Sequence, residues 1–264
     1  MILLLLAAAA ANAAETVSIP FRAVVGSEEL ACGRKYAGVG LSKSVITPRD
    51  FRFYIHNVRL LDEAGKEWPV DLAQDGKWVL DDVALLDFED GSAGCRNGSP
   101  ETNRVVTGTV PAGHVYRGLR FTLGVPFAKN HSDLMAMPSP LNLTAMGWVW
   151  NAGRRFARIE LATATRAFSI HLGSTGCTPD APNSPPAKCV SPNRAEVELK
   201  DFEPGRSVVQ ADLGALLRDS DVERGGACES DPATAACAPL FAHFGLPFAG
   251  HAAGAQDFFR VGLP

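Results

Sequence analysis

The side chains in this 264-residue sequence with soft or borderline donor atoms are six histidines, six cysteines and four methionines. Most of the distinctive ones fall between Gly124 and Cys177. That stretch contains Gly124-Val-Pro-Phe-Ala-Lys-Asn-His131, Pro138-Ser-Pro-Leu-Asn142, Met146-Gly-Trp148-Val-Trp150 and His171-Leu-Gly-Ser-Thr-Gly-Cys177. A further histidine, His56, lies in an earlier aromatic-rich run. With the thiols tied up, the available metal ligands are His56, His131 and His171, with Met135, Met137 or Met146 as thioethers. Imidazole with optional thioether suits copper better than calcium or magnesium, and ligand type alone leaves zinc open. No HxH or HxxxH pairs two of these rings on one element, so a site would have to be gathered from distant segments. The competing reading is that the tryptophans pack in the core and the histidines are satisfied polar residues.

The cysteines, at 32, 95, 177, 189, 228 and 237, are even in number and include no CxxC. That favours disulfides over a zinc ribbon in an exported chain. Cys177 with Cys189 and Cys228 with Cys237 each bracket one Pro- or Asp-rich loop, which leaves Cys32 with Cys95 as the long-range staple. Export is expected because Met-Ile-Leu-Leu-Leu-Leu, an alanine run and Ala11-Asn12-Ala13 resemble a secretory leader over residues 1–13. The leader is too short to span a bilayer. The mature chain, 14–264, is expected to be periplasmic or secreted, with no membrane span.

A net charge of −4 and the absence of any Lys/Arg-rich run argue against a nucleic-acid partner. Gly38-Val-Gly40 lacks the Gly-Lys-Ser/Thr of a phosphate loop and reads as a loop. There is no Gly-x-Ser-x-Gly elbow, and Ser174 beside His171 has no base-orienting context, so a serine hydrolase is not indicated. The acidic cluster Asp81, Asp82, Asp87, Glu89 and Asp90 lacks the ligand spacing of an EF-hand and reads as a solvated edge. Nothing here makes the chain an enzyme in its own right.

The elements that must position these groups are strands. Asp50-Phe-Arg-Phe-Tyr-Ile-His-Asn-Val-Arg-Leu-Leu61 is the clearest. Its period of two puts Arg52, Tyr54, His56 and Val58 on one face and Phe53, Ile55 and Asn57 on the other. Further strands are predicted at 17–25, 68–72, 77–80, 83–89, 103–110, 115–125, 154–162, 166–172, 195–199, 207–213 and 257–261, and a short helix follows the strand at 207–213. Residues 178–192 and 219–236 read as loops, 239–246 as one or two helical turns, and Met146 to Trp150 as a strand. His114 is expected in an exposed turn. Many short strands with little helical periodicity predict an all-β fold, a single β-sandwich or barrel-like domain with long disulfide-stapled loops.

Taken together, certain stretches resemble the MbnP-like proteins, also called metallo-mystery-pair four-Cys motif proteins, over nearly the whole mature chain. They are Cys32-Gly33 with Gly38-Val-Gly40, Arg52 to Leu60, Leu85-Leu-Asp-Phe-Glu89, Cys95-Arg-Asn-Gly98, Gly124 to Phe127 with Asn130-His131, Ser139 to Asn142, Met146 to Trp150, His171 to Cys177, and Cys228 with Cys237. The resemblance implies an exported copper-binding protein paired with a di-haem cytochrome c peroxidase-like (MauG/MbnH-like) partner that oxidises a tryptophan to kynurenine. It makes His56, His131 and His171 the metal ligands, expected to converge on one site, and Trp148 or Trp150 the residue modified. Trp78 is the reserve and Trp68 the least favoured. The sequence departs from the family pattern at Gly147, where an aromatic is expected, and at Glu229-Ser230 after Cys228, where Met-Ser is common. The second departure removes the basis for a thioether ligand from that loop.

Two other classes stay open: a β-sandwich binding module for a carbohydrate or peptide that uses Trp148 and Trp150, and an exported metal-dependent enzyme.

Overall fold

The computed structural model describes residues 13–148, 153–181 and 184–264. Its architecture is all-β, in two main sheets with a small separate hairpin. The smaller main sheet runs in the order Phe259–Gly262, Val208–Asp212, Ala14–Val25, Val105–Pro111 and Asp71–Leu72. The larger runs Ala195–Leu199, Tyr116–Leu123, Ser44–Asp62, Ala157–Ala162, Ala167–Leu172 and Gly226–Cys228.

The 19-residue strand Ser44–Asp62 is the centre of the larger sheet. Phe51 and Phe53 point from it into the space between the sheets, where Phe53 meets Phe259 at 5.3 Å and Phe21 at 6.2 Å between ring centroids. Phe121 closes the same layer against Phe259 at 5.1 Å. Each such ring contributes about 2–3 kcal/mol by leaving water, so this aromatic layer holds the sandwich shut. The alternate residues Arg52, Tyr54 and His56 face the other way, yet they too are buried. The segment between Gly124 and Phe156 helps to cover them: the Tyr54 hydroxyl donates to the Pro140 carbonyl at 2.7 Å.

One edge of the long strand serves two partners in succession. Residues 55–62 pair with Tyr116–Leu123, and residues 47–53 pair with Ala157–Ala162. The hand-over is at Tyr54, whose carbonyl accepts from Gly124 N–H and whose N–H donates to the Phe156 carbonyl, both at 2.8 Å. Gly124 has φ of 136°, and a β-carbon there would lie 3.2 Å from Phe156 and Arg194. Glycine alone fits this backbone at that spacing. The chain between these two points leaves the sheet and returns to it, and it carries His131 and Trp148.

All three disulfides form as the spacing suggested: Cys32–Cys95, Cys177–Cys189 and Cys228–Cys237. Four local expectations are corrected. Tyr36–Val39 is a strand rather than loop, because glycines 38 and 40 take positive φ and fold it back onto Ser44–Ile46. Residues 178–192 are not simply a loop: Thr175–Pro179 and Pro186–Ser191 form a two-stranded ribbon across the Cys177–Cys189 bridge. Within 219–236, Gly226–Cys228 adds a parallel edge strand to Ala167–Leu172. Met146 lies in a 3-10 turn, Thr144–Met146, and Gly147 bridges Arg154, so Met146 and Trp148 are not successive residues on one strand face.

Among the described residues no helix is long and apolar enough to cross a membrane.

Candidate metal centre

His56 sits mid-sheet, between Val83 on one neighbour and Thr122 on the other. Its Nδ1 is 2.9 Å from the Gly124 carbonyl. A carbonyl only accepts, so Nδ1 carries the hydrogen, and in the neutral ring the lone pair is on Nε2. Burial holds this imidazole below the usual histidine pKa, which keeps it neutral near pH 7.

His131 ends the turn Phe127–Asn130, which Pro126 opens at φ −53°. Its ring centroid lies 4.7 Å from that of Phe127, and its Nε2 is 3.1 Å from Asn130 Nδ2. The same nitrogen is 3.3 Å from Cys189 Sγ and 3.9 Å from Cys177 Sγ, so the stapled ribbon packs directly on the imidazole.

His171 is on the strand Ala167–Leu172, opposite Arg158, which is in turn opposite Arg52. Its Nε2 lies 3.1 Å from Glu160 Oε1. The His171 ring first, and then the Arg158 guanidinium, draw the Glu160 carboxyl down to about 2. Its Nδ1 is buried without a hydrogen bond, 3.4 Å from Glu229 Oε1.

The three rings do not converge, which corrects that expectation. His56 and His171 share a sheet face but stand two strands apart and several residues out of step, and each ring is anchored by different partners. Among the described residues, only two groups of three His, Cys, Asp or Glu have ligand atoms mutually within 4.8 Å: His131 with Cys177 and Cys189, and Glu89 with Cys32 and Cys95. Both include a disulfide, whose sulfurs offer no thiolate, so neither is a metal site as it stands. Thioethers do not fill the gap either. Met146 is fully buried in the hydrophobic core, Met137 packs against that core and Met135 is exposed.

Trp148 is what joins these surroundings. It lines a cavity of about 380 Å³ with His131, Ser132, Asp133 and Arg154. It also lines a second, of about 310 Å³, with Ser174, Thr175, Glu229 and Asp231. The indole therefore stands between the His131 side and the carboxylate that touches His171. Trp150 lies outside the described residues. Trp78 borders a third cavity with Arg52 and Asp87. Trp68 is stacked on His114 at 4.1 Å and donates to Asp62, so His114 is half-buried rather than exposed.

Arg154 was not legible as a site residue. It is 1% exposed, and its guanidinium donates to the carbonyls of Leu141, Lys129, Asn130 and Ser132 while its N–H donates to Asn130 Oδ1. It ties both ends of the His131 loop to the sheet. The acidic cluster also needs correction. Asp81 and Asp82 are exposed, but Asp87 and Glu89 are buried. Asp87 is the cross-strand neighbour of Arg52, whose guanidinium pairs with Asp50.

The MbnP family model matches residues 14–231. The chain belongs to the MbnP family. The matched span contains His56, His131, His171 and Trp148. Among solved structures, MbnP from Methylosinus trichosporium superposes with a TM-score of 0.82 at 30% identity, covering 95% of this chain and 99% of that one. No curated protein matches the chain. Covering 95% of the chain, the structural likeness reaches beyond the span matched by the family model.

No assembled donor set is present among the described residues, but two single imidazoles have donor atoms of the type a borderline metal ion takes. His171 offers a buried Nδ1 with no hydrogen bond, and its other nitrogen is held by a carboxylate, the second-sphere pattern that orients metal-binding imidazoles. His56 offers Nε2 in the same way, oriented by a backbone carbonyl.

Proposed function

We propose that this MbnP-family chain is an exported copper-binding protein, not itself an enzyme. In this reading a di-haem cytochrome c peroxidase-like partner oxidises one of its tryptophans to kynurenine. The observation that carries the proposal is the position of Trp148, which lines both the His131 cavity and the cavity walled by Glu229 beside His171.

The imidazole donors are His56 Nε2, His131 and His171 Nδ1. His56 and His171 are fixed on separate strands of one sheet, so they are separate candidate donors and do not share an ion in this arrangement. Copper bound there supplies a redox-active Lewis acid centre. An indole N–H is a donor only, whereas ring opening exposes an aromatic amine and a carbonyl, so the modification gives the Trp148 position a ligating capacity that tryptophan lacks. Trp150 is the alternative modified residue.

The test is to purify the exported chain with and without the coexpressed partner, measure bound metal, and map peptides by mass spectrometry. Copper at one per chain, with loss of one carbon and gain of one oxygen on Trp148 or Trp150, supports the proposal. His→Ala at 56, 131 or 171 should weaken copper binding, and His251→Ala should not. Modification confined to Trp68 or Trp78, or absence of metal from the wild-type chain, would overturn it. Absence of metal would favour the binding-module reading.

A further inference from the structure

We infer that Cys32–Cys95 is a reducible bridge with its own proton donor: a dithiol reductant attacks Cys32, and Glu89 protonates the departing Cys95 sulfur. The inference is independent of the metal-binding reading above and uses none of its histidines.

The fold sets one buried acid against this disulfide. Glu89 is 0% exposed, and a carboxyl oxygen of it lies within 4.8 Å of both sulfurs. Its Oε1 accepts from Gly91 N–H at 3.0 Å, whereas Oε2 is buried with no hydrogen bond. Room for that oxygen exists because residue 98 is glycine: a β-carbon there would fall 1.2 Å from Oε2. Burial holds the carboxyl above the usual glutamate range, and the charges of Asp50 and Asp90 add to it, against the Gly91 N–H and the Arg52 guanidinium. Arg52 is itself committed to Asp50, with its Nε 2.8 Å from Oδ1. The protonated form is therefore favoured, and its proton has the bridge for a neighbour.

The two sulfurs are not equivalent. Cys32 is half-buried and is flanked by exposed residues, whereas Cys95 is 1% exposed. Lys35 and Arg96, close to the two cysteines in sequence, are exposed, and the exposed Arg49 packs on Gly94 beside Cys95. These positive charges favour approach of a thiolate to Cys32. A thiolate left at Cys95 would be dry, which raises its pKa and makes it a poor leaving group. Cys95 Sγ lies 4.0 Å from the Pro48 carbonyl, an acceptor that suits a thiol and not a thiolate. Proton transfer from Glu89 removes that obstacle.

The step balances as thiol–disulfide exchange. The reductant's thiolate sulfur bonds to Cys32 Sγ, the bridge breaks, and its electron pair goes to Cys95 Sγ, which takes the Glu89 proton. The second thiol of the reductant then displaces Cys32, which takes a proton from solvent, and Glu89 is reprotonated from solvent. Two electrons have passed to the bridge, and the reductant ends as a disulfide. The other bridges lack this acid: Cys228 and Cys237 are both buried, and Cys189 has the His131 ring at 3.3 Å.

The experiment reduces the folded full-length chain with dithiothreitol, quenches by alkylation, and reads each cysteine pair by peptide mass spectrometry. Rates are normalised to the dithiothreitol thiolate concentration at each pH, and urea midpoints check that the variants fold. Glu89→Gln is expected to slow reduction of Cys32–Cys95 about tenfold or more, with the other two bridges unchanged. Gly98→Ala, which displaces the carboxyl, should slow the same bridge. The normalised wild-type rate should fall as rising pH ionises Glu89, and that of Glu89→Gln should not, although both retain Asp87. An unchanged or faster rate in Glu89→Gln would overturn the inference, as would equal slowing at all three bridges, which would report global opening. A wild-type rate independent of pH after normalisation would overturn it without recourse to any variant.

Discussion

Trp148 and Gly173 are matched in shape: a β-carbon placed on Gly173 would lie 2.3 Å from both Cη2 and Cζ3 of the indole. The ring fills space that only glycine leaves, and the Arg154 carbonyl, 3.0 Å from the same point, closes the other side. Gly173→Ala should therefore expel the indole rather than compress it. The expected cost is about 1–3 kcal/mol in urea unfolding, with a red-shifted tryptophan emission. If Trp148 is the residue modified, the same substitution should lower the yield of the modified peptide. Unchanged emission and stability would show that the ring can move aside freely.

Arg154 should be more sensitive than any residue it touches. Its guanidinium satisfies carbonyls at four positions of the 129–141 segment, and burial holds its pKa below that of a free arginine. Arg154→Met keeps much of the apolar stem but strands those carbonyls, at about 1–3 kcal/mol for each group left dry. We expect a loss of about 3 kcal/mol or more, with early proteolytic cutting between His131 and Pro140. Arg154→Lys should recover only part of this, because an ammonium cannot span the same fork of acceptors.

The fold was legible where period-two alternation is strong. Residues 50–56 announced their two faces correctly because Phe53 and Ile55 meet the opposite sheet while Tyr54 and His56 meet the site loops, but at Asn57, with φ of 53°, the register slips, and Arg59 rather than Val58 shares the His56 face. The disulfides were legible because two pairs are close in sequence and the third follows. What composition hid was burial of charge. Asp87 and Glu89 look solvated in the sequence, and only the cross-strand register with Arg52 shows otherwise. Likewise, Arg154 reads only as the first residue of a predicted strand until the carbonyls it serves, at 129–141, are brought to it. The histidines were found by their surroundings, but spacing says nothing of ring anchoring, and so their failure to converge could not be foreseen.

Asp87 gives a pH dependence of defined sign. Burial pushes its carboxyl up to about 7, against the hydrogen bond from Glu89 N–H and the charge of Arg52, which pull it down. Its folded pKa lies above the unfolded one, so its contribution to stability is full below about pH 4 and is lost as pH rises through about 7, with an upper limit of about 4 kcal/mol. Asp87→Asn keeps the acceptor for the Glu89 N–H and removes the titration. The variant should therefore gain stability relative to wild type at pH 8 and match it at pH 4.5, read from urea midpoints at the two values. Equal gains at both would mean that packing, not charge, sets the difference.

Removing the Cys177–Cys189 bridge should separate site order from global stability. The bridge closes a short loop, with a sequence separation of 12, and a loop of that size is worth about 3 kcal/mol in the chain-entropy account. The ribbon it staples belongs to neither main sheet. Its release should therefore leave the aromatic layer around Phe53 and Phe259 intact. The same bridge sulfurs pack on the His131 imidazole, at 3.3 Å for Cys189. A Cys177→Ser, Cys189→Ser double variant should unfold with a single transition at a lower denaturant midpoint, while its copper affinity falls by a larger factor than that of the Cys32→Ser, Cys95→Ser variant. The 32–95 bridge closes a longer loop, with a separation of 63, and should cost more stability for less effect on binding. The comparison is made by urea unfolding and metal titration on the same samples. Equal loss of copper affinity in the two double variants would mean that the ribbon does not order His131.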